Sequence, residues 1–136
     1  AAALAVQQVI EREGLLQRVD QLGIELRRAL AARFDEHPHI GDIRGRGLFL
    51  GLEFVADRAS KKAFPTEDRF DQVLKIAAME QGLICYPMAG TIDGKNGSHV
   101  LLAPPFILSD DQIGEIVDKL ALAVDVTVAS AAGRRP

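Results

Sequence analysis

The sequence predicts an α+β domain: a small, mainly antiparallel sheet packed by helices on one side. Three observations carry that expectation. Apolar residues recur at helical spacing near both ends of the chain, through Leu15, Val19, Leu22, Leu26, Leu30 and Phe34 and again through Ile113, Val117, Leu120 and Val124. Short β-like runs lie between them at 47–55, 83–86 and 99–102, bounded by glycine and proline. The resulting order is helices, strand pair, helix, two strands, helix.

Residues 1–13 read as a helix in which Leu4, Val9 and Ile10 stand among alanines. This start has no N-cap for the four free amides of a helix end. It suggests a chain continuing from a preceding segment, the alternative being a leader-less chain with a frayed first helix. Gly14 is a kink or a junction, and the roughly 1 kcal/mol that glycine costs in a helix favours a break. A second helix then extends to Phe34, and His37-Pro38 ends the segment because the residue before proline avoids the α region.

Residues 40–46 form a short strand or turn, and 47–55 a strong strand. Leu48, Leu50, Leu52 and Phe54 would line one face, with Phe49, Gly51, Glu53 and Val55 on the other. Gly45 and Gly47 around Arg46 mark a tight turn or bulge where no side chain fits. After a polar loop over 57–65, Thr66 can cap a helix over 67–81, with Glu67 and Asp68 in its first turn and Gly82 ending it. A buried strand over 83–86 stops at Pro87, and 88–97 is a flexible glycine loop. Strand 99–102 runs into Pro104-Pro105. Ser109 and Gln112 make a capping box, with Asp110 and Asp111 favouring the helix start. The last helix runs from Asp110 to about Val128, and 130–136 reads as a disordered tail.

At 136 residues the chain fits one domain and can bury a core. Net charge is −3 and basic residues never cluster beyond pairs, so no nucleic-acid partner is expected. A lone cysteine, Cys85, excludes an internal disulfide and fits a reducing compartment, hence a cytoplasmic location. No apolar run approaches the roughly 20 residues needed to span a bilayer, so no membrane partner is expected. His37 and His39 lack further ligands nearby, and no metal site is expected.

Three segments carry a family resemblance. Residues 99–120, HVLLAPPFILSDDQIGEIVDKL, resemble the closing strand, APP corner and last helix of class III aminotransferases, pyridoxal-phosphate (PLP) enzymes of fold type I. Residues 41–55, GDIRGRGLFLGLEFV, look like that family's glycine-punctuated hairpin, and 82–94, GLICYPMAGTIDG, like the strand and loop of its ω-amino-acid and amine transaminase branch. The three occur in family order, and the resemblance covers nearly the whole chain.

The resemblance implies the small C-terminal domain of such an enzyme, over 37–129, with 1–36 a helical segment joining it to a large PLP-binding domain. It implies that the lysine forming the Schiff base lies upstream, since none of the five lysines here has the family's catalytic context. This chain alone would then bind no PLP and transaminate nothing. The whole enzyme would be a homodimer passing an amino group from an amine or ω-amino acid to a 2-oxo acid.

The resemblance also points to candidate cleft residues. Where many members hold a substrate carboxylate with an arginine two residues before the alanine of the corner, this chain has Leu101. Where others carry a mobile arginine, it has Tyr86. Both departures argue against carboxylate recognition through those arginines. Tyr86 could form an aromatic wall, or simply pack on its strand. Thr91 could add a hydrogen bond, or with Asp93 and Gly94 shape a turn. Arg46 could face the cleft or make a surface or domain-interface ion pair, and Glu53 reads as a paired interface carboxylate. The competing reading is a stand-alone α+β interaction module without catalysis.

Overall fold

A computed structural model describes residues 2–133. Its elements are α1 (Ala2–Arg12), α2 (Leu15–Phe34), β1 (Ile40–Arg46), β2 (Phe49–Phe54), a 3-10 turn (Thr66–Asp68), α3 (Phe70–Glu80), β3 (Tyr86–Ala89), β4 (Ser98–Leu102) and α4 (Asp110–Ala132). The four strands form one antiparallel sheet in the order β1-β2-β4-β3. Leu50, Leu52 and Phe54 of β2 and Val100 and Leu102 of β4 join the apolar stripes of α2, α3 and α4 in a single core. The α+β architecture with helices on one side of the sheet is therefore as expected.

Local chemistry sets the joints. Gly14 adopts a left-handed φ of 60° and separates α1 from α2. Gly47, at φ 53°, opens the two-residue turn between β1 and β2, where primed turns need positive φ. That turn rests on α2 at Gly23, whose added Cβ would lie 2.5 Å from the Gly47 backbone. The close approach of two glycines thus seats the β1–β2 hairpin. At the end of α3, Gly82 N–H donates to Met79 O and Leu83 N–H to Ala78 O, a Schellman closure with Gly82 at φ 72°. Ser109 N–H donates to Gln112 Oε1 at 3.0 Å, the reach-back half of the capping box that starts α4.

Five expectations are corrected. Thr66 does not cap a helix: it opens the 3-10 turn, Arg69 turns left-handed at φ 48°, and α3 starts at Phe70. The break lets Phe70 stack on Phe64, with ring centroids 4.4 Å apart, and lie 4.9 Å from Phe54. Pro87 does not stop the third strand, which begins at Tyr86 and includes it. The strand lies at the sheet edge, where every other amide points away from the ladder and a residue without N–H fits. The segment before it is not a buried strand either, since Ile84 is 93% exposed. Val55 is buried rather than on the open face, packed where Gly41 leaves room beyond the end of β2. Finally, α4 continues to Ala132 with Ala131 buried, so the tail expected from 130 is helical that far. Residues 134–136 of that tail lie outside the described residues.

Candidate functional site

The sheet has a second face that no helix among the described residues covers. Directly opposed residues of antiparallel strands share a face, so register defines its rows. Arg46 opposes Phe49. Arg44, Gly51, Leu101 and Tyr86 form the next row, and Glu53, His99 and Met88 the one after. Tyr86 is 64% exposed and Phe49 58%. Between the rows lies a groove of about 400 Å³, lined among others by Arg44, Phe49, Glu53, Thr91, His99 and Leu101. Gly51 forms part of its floor, and a Cβ there would come within 3.3 Å of Leu101 Cδ2.

Of the residues singled out from sequence, Leu101 and Thr91 line the groove. Tyr86 and Arg46 lie on the same sheet face, on the outer strands β3 and β1. Thr91 belongs to the loop after β3, and its Oγ1 sits 2.8 Å from His99 Nδ1. That loop is braced rather than slack. Gly90 N–H donates to Gly97 O at 2.9 Å and Gly94 N–H to Gly90 O at 3.0 Å. The Asp93 carboxylate accepts from the Lys95 and Asn96 amides and from Asn96 Nδ2, which holds its carboxyl below the usual carboxylate range. Asp93 therefore shapes the turn.

The ion pair falls to Arg44, not Arg46. Arg44 Nη1 lies 2.9 Å from both Asp42 Oδ2 and Glu53 Oε2. Among the described residues, Arg46 has no carboxylate within ion-pair distance. The hydrogen bonds to Glu53 and Asp42 push the Arg44 pKa up, and Arg44 holds the Asp42 carboxyl down. Burial, aided by the nearby Arg44 charge and opposed by Glu53, lowers the His99 pKa below its ordinary 6.5 and favours the neutral imidazole. Sequence reasoning missed Arg44 and His99 as groove residues. Alternation from Arg46 along β1 and from Leu101 along β4 was the signal that could have found them.

Chemically, the groove offers aliphatic and aromatic walls, a hydroxyl, a neutral imidazole and a carboxylate already paired. Among the described residues its one lining cation, Arg44, is paired with two carboxylates. The five lysines do not line it: Lys61 Nζ donates to Gly41 O, Lys119 pairs with Glu115 at 2.6 Å, and Lys62, Lys75 and Lys95 are exposed elsewhere. The described residues thus supply no amine there for a Schiff base, and the groove alone does not fit covalent attachment of a carbonyl cofactor.

Apolar exposure extends beyond the sheet. Helix α1 has no buried residue, with Leu4 at 65% and Val6 at 56%, and Leu16 and Ile24 of α2 are also exposed. No helix among the described residues is long and apolar enough to cross a membrane, and no group of three or more potential metal ligands occurs among them.

Comparison with known proteins gives one family. The family model described as Aminotransferase class-III matches residues 1–124. An uncharacterised aminotransferase of Schizosaccharomyces pombe is 46% identical over 130 residues, covering 96% of this chain and 28% of that protein. The taurine–pyruvate aminotransferase of Rhodobacter capsulatus is 37% identical, covering 91% of this chain and 26% of that protein. Among solved structures, a PLP-bound aminotransferase mutant from Vibrio fluvialis superposes with a TM-score of 0.84 at 35% identity, over 95% of this chain and 26% of that one. An (S)-enantioselective ω-transaminase from Thermomicrobium roseum gives 0.81 at 28% identity, over 93% and 26%. The chain spans about a quarter of the length of these relatives. With the motifs in family order and the fold shared across nearly all of its length, this chain belongs to the class III aminotransferases.

Proposed function

We propose that this chain is the small C-terminal part of a class III aminotransferase whose open sheet face covers the cofactor cleft and shapes substrate choice. Enzymes of the class depend on PLP. The amino group would pass from an amine or ω-amino acid to a 2-oxo acid such as pyruvate, and the reactive lysine would come from a large domain of the same protein, in a homodimer. One observation carries the reading: the sheet is buried on one face only, in a chain a quarter as long as its relatives. The exposed apolar residues of α1 support it, because a self-contained interaction module would pack its first helix. With Leu101 and Tyr86 at the two family arginine positions and Arg44 neutralised, the groove suits an uncharged or apolar donor group better than a carboxylate.

The test is a chimera. Residues 1–130 replace the matching quarter of the Rhodobacter capsulatus taurine–pyruvate aminotransferase, and amino transfer to pyruvate is assayed across taurine, ω-amino acids and simple amines. Activity is expected, with preference moved toward amines lacking an acidic group. The 136-residue chain mixed with PLP is expected to give no borohydride-reducible imine band. A soluble, PLP-loaded chimera that transfers from no donor would overturn the reading, as would transamination by the short chain alone.

A further inference from the structure

His37 and His39 flank Pro38 in the joint between α2 and β1, away from the open sheet face. Their rings continue an aromatic series into the core: Phe34–His37 at 6.0 Å, His37–His39 at 5.9 Å, and His39–Phe64 at 5.4 Å between centroids. The His39 backbone N–H donates to His37 Nδ1 at 3.2 Å. That bond requires a lone pair on Nδ1, so neutral His37 carries its proton on Nε2. His39 Nδ1 lies 3.1 Å from Val55 O, and Val55 N–H donates to His39 O at 2.9 Å. His37 therefore holds His39, and His39 holds the start of β1 against the end of β2.

We propose that His37 is a proton-released latch: neutral, it keeps the joint closed on β1, and charged, it lets the joint open. An imidazolium has two N–H donors and no acceptor. In either ring orientation the His39 amide then loses its acceptor, and in the present one it faces the Nδ1–H donor. The charged and titratable groups around His37 are Arg33 from α2, Asp125 from α4 and His39 in the joint itself. Asp125 Oδ1 lies 3.9 Å from His37 Nε2 and favours the charge, but its other oxygen is 3.4 Å from Arg33 Nη2. Burial, His39 and Arg33 oppose the charge, and together they lower the His37 pKa below its ordinary 6.5.

The sign follows from linkage. Open, His37 takes up a proton near pH 6.5; latched, it does so only at lower pH. Between those values the open form binds more protons. The latch is thus at full strength above about pH 6.5 and weakens as pH falls. The strand held by this joint, β1, also carries Arg44 and Arg46.

The experiment uses the full chain. Imidazole nitrogen shifts in NMR spectra report the His37 tautomer and titration, and amide exchange reports opening at His39. Expected are the Nε2–H tautomer, titration below 6.5, and His39 exchange, corrected for its intrinsic rate, that rises up to about tenfold per pH unit below 6.5. In His37→Asn the side-chain oxygen can accept the amide two residues on and does not titrate. His39 is present in both proteins, so their difference isolates His37. The Asn variant should lose that pH slope at His39. A neutral Nδ1–H tautomer, a His37 pKa at or above 6.5, or the same slope in the variant would overturn the proposal. The first two readings need only the natural sequence, so they decide even if the variant does not fold.

Discussion

The two faces of this sheet are built from alternate residues of the same strands, yet they obey different rules. On the helix side, Leu50, Leu52, Phe54, Val100 and Leu102 are almost wholly excluded from solvent and interlock with three helices. One residue along, Phe49, Gly51, Glu53, His99 and Leu101 carry a groove, an ion-paired arginine and a hydrogen-bonded imidazole. The first face contributes free energy by burial, roughly 25 cal/mol per Å² of apolar surface. The second contributes little to this chain's own stability, because exposed ion pairs are worth about 0–1 kcal/mol and its large side chains remain wet. The difference identifies which face is held for folding and which is available for something else.

The largest effect is expected for Leu52→Ala, which removes a fully buried side chain at the centre of β2. It should destabilise the chain by about 3 kcal/mol in urea denaturation. A loss under about 1 kcal/mol would mean the helix-covered face is not the true core. Gly23→Ala comes next. Its methyl would meet the Gly47 backbone at 2.5 Å, which no rotamer can relieve. Overpacking of about 1–3 kcal/mol should exceed the roughly 1 kcal/mol gained in helix propensity. A net rise in thermal midpoint would show that the hairpin does not seat on α2. The smallest effect is expected at Phe49→Ala, on the open face, where stability of the 136-residue chain should change by less than about 0.5 kcal/mol. The same substitution in the chimera should lower amino transfer several-fold. An unchanged rate there would separate the open face from the cleft.

Much of the architecture was legible in the sequence. Helical stripes located α2 and α4, the capping box placed the start of α4 at Asp110, and glycines marked the β1–β2 turn. These are local signals, fixed within a few residues by spacing, capping or φ. The misread stretches depended on distant partners. Thr66 is a good cap by itself, but burying Phe64 and Phe70 beside Phe54 moved the start of α3 to Phe70. Pro87 normally ends a strand, but a place at the sheet edge removed the objection. At the candidate site, Tyr86, Thr91 and Leu101 were recognisable through motif wording, whereas Arg44 and His99 gained their roles only when strand pairing set them beside Glu53 and Thr91.

By itself the sequence determined the class of fold, the order of its elements and the family, since periodicity and motif order survive without coordinates. Tertiary structure decided which alternate residues of β2 and β4 went inward, which arginine was neutralised, and that His37 and Asp125, 88 positions apart, face each other. The physical reason is range. Helical spacing, caps and turns act over three or four residues of chain, while burial and ion pairing act through space between residues that the sequence alone leaves unordered.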